Sequence, residues 1–187
     1  PWGPFGESCT CILAGSGFAG HDRSSPAKPV QIDAPTFLGD DALLRIAREV
    51  RSDYVLFASG DAPASPREPF FRRLFPTLES GAWDCCYMNH FRQMAQSAPA
   101  TVFLPRFQEG SARDTFPMGP LLAFRADAFK TAATSREGTD DLQFAALQRV
   151  LLSLAGRGRI GFIPEELYTI GAETAQPPGG TQFDYQR

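Results

Sequence analysis

The sequence predicts an α/β fold, a single domain in which helices flank a mostly parallel central sheet. Three observations predict it. Apolar runs of strand length alternate along the chain with stretches whose apolar residues recur at helical spacing. One of those runs, Tyr54-Val55-Leu56-Phe57, is apolar on both faces, as a strand covered by helices on either side must be. A chain of 187 residues, 43% of them hydrophobic, is long enough for one sizeable core and short enough for one domain.

The elements follow in order. Cys9-Thr10-Cys11-Ile12-Leu13 reads as a first short strand, followed by a Gly/Ser-rich loop over residues 14–29. Val30-Gln31-Ile32 is a second, brief strand. Residues 42–51 read as a helix, because Leu43, Ile46, Ala47 and Val50 recur at its spacing, with Asp40 or Asp41 as cap. The strand at 54–58 comes next. Ser65-Pro66-Arg67-Glu68 then combines a capping box with proline at the first helical position. Phe71, Leu74, Phe75 and Leu78 continue that helix on one face, and Gly81 stops it. Residues 83–88 read as a strand and 89–117 as irregular chain, with one short strand at 101–104. Residues 121–124 form a strand and 126–133 a short helix. Thr139 or Asp140 opens a long helix lined by Phe144, Leu147, Leu151 and Leu154, ended by Gly156 or Gly158. Residues 159–163 are the last strand, stopped by Pro164, and the Pro/Gly-rich stretch 172–187 reads as a tail or linker.

The bulk properties narrow the function. A net charge of −3, a pI of 5.4 and the lack of any Lys/Arg block argue against nucleic acid as partner. The four cysteines fall as Cys9/Cys11 and Cys85/Cys86, without the spacing of a zinc half-site, and read as free thiols of a reducing compartment. No apolar run reaches the length of a membrane span, and no signal peptide is evident. These features predict a cytoplasmic protein with no transmembrane segment.

The chemistry concentrates at a few places. In DYVLFASGDAPASP the apolar strand ends in Ser59-Gly60-Asp61, which delivers a carboxylate to the carboxyl edge of the sheet, where open α/β sheets bind ligands. Its plain alternative is a turn carboxylate holding local backbone groups. Asp140 and Asp141 stand at a helix start, where acids also serve as caps and complement the macrodipole. His90 follows the strand at 83–88 and either faces a cleft or is an ordinary core or surface imidazole. The loop Gly15–Gly20 is a phosphate cradle or a simple connection. Arg106, Arg113 and Arg125 meet phosphate or solvent.

Several segments together resemble the inverting family-two glycosyltransferases of the GT-A fold. DYVLFASGDAPASPREPFFRRLFPTLESGAWDCCYMN is similar to that family's central block, and DDLQFAALQRVLLSLAGRGRIGFIPEELYTIG to its later block. MGPLLAFRADAFK, between them, resembles the acceptor-side segment. The resemblance implies a GT-A-like, Rossmann-like domain over residues 1–171, with its first strand in question. It implies transfer of a sugar from a nucleotide-sugar donor to an acceptor hydroxyl with inversion, the work of polysaccharide assembly.

By position, Ser59 and Asp61 would hold the donor diphosphate, with Asp61 the ligand of a divalent Mn²⁺ or Mg²⁺. Asp141 would be the catalytic base, with Asp140 its nearest competitor. The acceptor would be a sugar, a lipid-linked sugar or a protein. The chain departs from the family in two places. Ser59 stands where the family has an acid, and the loop 14–20 contains none. Two other readings follow from this: a non-catalytic glycosyltransferase-like module, and a nucleotidyltransferase of related fold, to which ILAGSG and Ala27-Lys28-Pro29 are faintly similar.

Overall fold

The computed structural model describes residues 12–14, 30–32, 39–58, 64–94, 97–111, 116–135, 142 and 145–171. Strands β1 (Ile12–Ala14) and β2 (Val30–Ile32) pair in parallel as a small sheet beside helix α1 (Asp40–Glu49). The chain then builds β3 (Tyr54–Ala58), β4 (Ala64–Pro66), α2 (Phe70–Glu79), β5 (Cys85–Arg92), β6 (Ala100–Val102), β7 (Leu121–Arg125), α3 (Ala126–Thr134), α4 (Ala146–Ala155) and β8 (Ile160–Ile170). The second sheet has the order β3-β7-β5-β8-β4, with β6 also paired to β5. The α/β class expected from the sequence is present.

The sheet is mixed, which corrects the expectation of a mostly parallel one. Four of its five pairings are antiparallel and only β5 with β8 is parallel. Strands β3, β5 and β8 each follow a helix, and the pairings give all three one direction. Strands β4, β6 and β7 each follow another strand directly among the described elements, and run the opposite way. Antiparallel neighbours need no crossover connection, whereas the one parallel pair, β5 with β8, is joined through α3 and α4.

Side-chain alternation along the strands divides the core in two. Val55, Phe57, Cys85, Tyr87, Leu122, Phe124 and Ile160 face one way, against Leu43 and Ile46 of α1, Phe129 of α3 and Val150 and Leu154 of α4. Cys86, Met88, Leu121, Ala123 and Ile163 face the other way, against Phe70, Leu74 and Leu78 of α2. Each helix therefore spends its apolar stripe on one face of the sheet. Cys85 and Cys86 are free and buried, as read from the sequence, while Cys9 and Cys11 lie outside the described residues.

Three boundary expectations are corrected. Ser65 and Pro66 do not cap a helix. They pair with Thr169 and Tyr168 at the sheet edge, where a proline without N–H is tolerated, and α2 begins at Phe70 after Pro69. Strand β8 is not stopped by Pro164. Between the Met88–Ile163 and His90–Tyr168 pairings, β5 advances two residues and β8 five, so Pro164 sits in a bulge that needs no ladder hydrogen bond. Strand β5 runs on to Arg92, because β6 and the far half of β8 flank its second half.

Gly81, at φ +72°, ends α2 in the left-handed conformation, as the sequence predicts. Close by, Arg159 donates to the Gly81 carbonyl at 2.5 Å and pairs with Asp84 at 2.6 Å, fastening the entries to β5 and β8.

Candidate functional site

Because β3, β5 and β8 share one direction, their carboxyl ends share one edge of the molecule. Ala58, the last residue of β3, pairs with Leu121, the first of β7, so β3 ends where β7 begins. The helices that pack on the first face bring their ends to the same edge. Helix α1 leads down into the start of β3, so its first residue lies toward the carboxyl edge; α4 leads through a short turn into the start of β8, and does the same. Helix α3 starts at the opposite edge, immediately after β7, and ends here.

One buried ion pair ties these three helix ends together. Asp40, the first residue of α1, is 3% exposed, and its Oδ1 lies 2.6 Å from Nη2 of Arg149 in the first turn of α4. Its other oxygen, Oδ2, accepts from the Leu142 N–H at 2.9 Å, and its own N–H donates to the Leu142 carbonyl at 2.8 Å. Arg149 also donates to the carbonyls of Ala132, Ala133 and Ser135 at the end of α3. A guanidinium there meets the negative end of the α3 dipole as well as a carboxylate. Asp40 or Asp41 was expected to cap α1. The cap is Gly39, and both carboxylate oxygens of Asp40 reach off their own helix.

The floor of the edge is formed by β5 and β8. Asn89 Oδ1 accepts from the Leu104 N–H at 2.8 Å, which holds the chain leaving β6. His90 is 2% exposed and stacks on Tyr168, ring centroids 5.0 Å apart. Neither ring nitrogen of His90 has a hydrogen-bond partner among the described residues, and the Tyr168 hydroxyl approaches the Leu121 backbone without a well-formed bond. Burial, then the nearby Arg92 cation, lowers the His90 pKa from 6.5, so the ring is neutral at pH 7. Burial pushes the Tyr168 phenol well up. Gly119, at φ +76°, passes directly over this pair: a Cβ there would stand 3.2 Å from the Tyr168 hydroxyl and 2.9 Å from Leu104 Cδ1. Of the two sequence readings of His90, the structure gives the core imidazole.

Ser59, Asp61, Asp140 and Asp141, the residues singled out for the chemistry, lie outside the described residues, as do the loop 15–20 and Arg113. Their described neighbours are Ala58, Ala64 and Leu142. Arg125 belongs to the opposite edge: it pairs with Asp127 at 2.7 Å and lines an open groove of about 550 Å³ with Arg51, Asp53, Glu79 and Lys130. Arg106 is solvent-exposed.

Sequence reasoning missed Arg149, Asn89 and Tyr168. Asp40 and Arg149 are 109 residues apart, and an arginine inside an amphipathic helix carries no local sign of a buried partner. Among the described residues no group of three or more His, Cys, Asp or Glu side chains is arranged to hold a metal ion. None of their helices is long and apolar enough to cross a membrane. Comparison with protein-family models finds no match, and comparison with curated proteins finds none.

Proposed function

We propose that this chain is a glycosyltransferase with a GT-A-like arrangement, moving a sugar from a nucleotide-sugar to an acceptor hydroxyl with inversion. One observation carries the reading. The strand that leads into Ser59-Gly60-Asp61 ends at the same sheet edge toward which α4 begins, and Leu142, the neighbour of Asp141, is held there against α1. A donor-holding turn and a base-bearing segment approaching one edge is the arrangement that displacement at a sugar carbon requires.

In this proposal Asp61, helped by the Ser59 hydroxyl, faces the donor diphosphate. Asp141 takes the proton from the attacking hydroxyl, with Asp140 beside it. Their oxygen donors suit a hard Mg²⁺ or Mn²⁺, which when bound would offset charge gathering on the departing diphosphate. A single carboxylate leaves much of the metal's shell to the diphosphate oxygens and water, so donor and metal should bind together.

Titration calorimetry with UDP- and GDP-sugars, with and without Mn²⁺, tests the proposal. Metal-dependent binding is expected, lost in Asp61→Ala and retained in Asp141→Asn. Transfer by Asp141→Asn should fall by about 10²-fold or more. Failure of every nucleotide to bind overturns the reading in favour of a non-catalytic module, which the serine at position 59 would suit. Consumption of a nucleoside triphosphate with pyrophosphate release overturns it in favour of nucleotidyl transfer.

A further inference from the structure

We infer that Asp40 and Arg149 are positioning residues, a buried pair that fixes the backbone at Leu142 and, on the transferase reading above, aims the base at Asp141. Both backbone polar groups of Leu142 are bonded to one residue: its N–H to the Asp40 carboxylate and its carbonyl to the Asp40 N–H. A residue held at both groups is fixed in orientation as well as position. Residue 141 directly precedes Leu142, one covalent peptide link away, so on that reading a fixed Leu142 limits the base's freedom.

The clamp is in turn anchored. The Asp40 carboxylate is held through Arg149, which is 14% exposed and grips the last carbonyls of α3. Leu142 is therefore located relative to three helices at once. A buried ion pair is weak evidence for stability, since well-packed apolar residues often serve as well. What an apolar pair cannot do is accept the Leu142 N–H. The charge on Asp40 keeps that acceptor oriented, and Arg149 keeps the charge in place.

The consequence is a division between donor binding and turnover. Neither Asp40 nor Arg149 belongs to the segment proposed to meet the diphosphate, so weakening the pair should leave donor binding intact while the base loses its aim. A misplacement of about 1 Å is enough to cost on the order of 10²-fold in rate.

Amide hydrogen exchange and steady-state kinetics on the full chain test this with Asp40→Asn, which preserves shape and removes charge, and with Arg149→Lys, which keeps charge but loses the fork. In Asp40→Asn the Leu142 amide is expected to exchange on the order of tenfold faster, while amides inside α1 and α4 keep their protection. The donor KM should change by less than about twofold as kcat falls about 10²-fold, with Arg149→Lys lying between variant and wild type. A Leu142 amide that exchanges at the wild-type rate in Asp40→Asn overturns the clamp, whatever the activity. A loosened Leu142 with unchanged kcat overturns its link to the base. If the wild-type chain transfers no sugar, the transferase reading falls and the link to a base with it, whereas the exchange result still decides the clamp. If Asp40→Asn does not fold, the same exchange and kinetic outcomes are read on Arg149→Lys.

Discussion

His90 and Gly161 show how single residues set local tolerance. The His90 ring is buried against Tyr168, and burial and Arg92 hold its pKa below 6.5. The folded state therefore takes up a proton less readily than the unfolded chain. The stability contributed by the neutral ring is complete above about pH 6.5 and is lost as pH falls through and below that value, until the folded form also protonates. Urea unfolding between pH 5 and 8 should show a midpoint that declines on the acid side in the wild type and declines less in His90→Phe. Equal declines would show that His90 does not titrate differently on folding. Gly161 faces a different constraint. A Cβ at that position would stand 2.7 Å from Trp83 Cγ and 3.0 Å from Cys86 Sγ, near the start of a paired strand. Gly161→Ala should therefore cost about 1–3 kcal/mol, read as a lowered denaturation midpoint, because neither a strand-entry indole nor a core thiol can step aside. At this scale the sequence said little. Nothing near Asp40 in the chain announces Arg149, and His90 carries the same letters whether it lines a cleft or a core.

Among the elements, those whose apolar pattern is answered by one neighbouring layer were legible. The strand at 54–58 has the bounds read for it, and the helices around Leu43 and Leu74 bury those residues as their spacing implied. Helix α4, by contrast, begins at Ala146, later than the Thr139 or Asp140 read for it, and buries Leu151 and Leu154 of its expected stripe. The failures were places where a tertiary partner outbid a local signal. Ser65 and Pro66 carry a sound capping sequence, yet the open edge of β8 offers them a ladder instead. Pro164 carries a stop signal that a bulge makes harmless. Helix α2 keeps one internal conflict. Pro76 lies inside Phe70–Glu79, on the exposed side, where it supplies no N–H to the preceding turn. Pro76→Ala restores that donor at the expense of a looser unfolded chain, a loss of about 0.4–1 kcal/mol against a helix preference of about 3 kcal/mol. A raised thermal midpoint, with unchanged far-ultraviolet dichroism, is the expected result; a lowered midpoint would mean that the packing of Phe70, Leu74 and Leu78 depends on the proline ring.

For the whole molecule, the layer class was legible because it needs only the alternation of elements. Strand direction was not, because it is set by pairings between segments far apart in sequence, and the stretch 89–117 reads as irregular whichever way its strands run. The candidate site was legible only as residue types: Asp61 and Asp141 were chosen by position in a resemblance, whereas the edge they are assigned to follows from pairings between residues far apart in sequence. The central strand β5 shows what such pairings entail. Its flanks are covered by β7 and β6 on one side and β8 on the other, and the β8 partner of Cys85 is Ile160, 75 residues later. At roughly 5–20 residues per second, a ribosome delivers that partner about 4–15 s after the strand itself emerges. During this interval the strand with the longest run of buried residues has an uncovered margin, so a nascent chain halted before residue 160 should be a client of the cell's holding chaperones, and one synthesised past residue 170 should not.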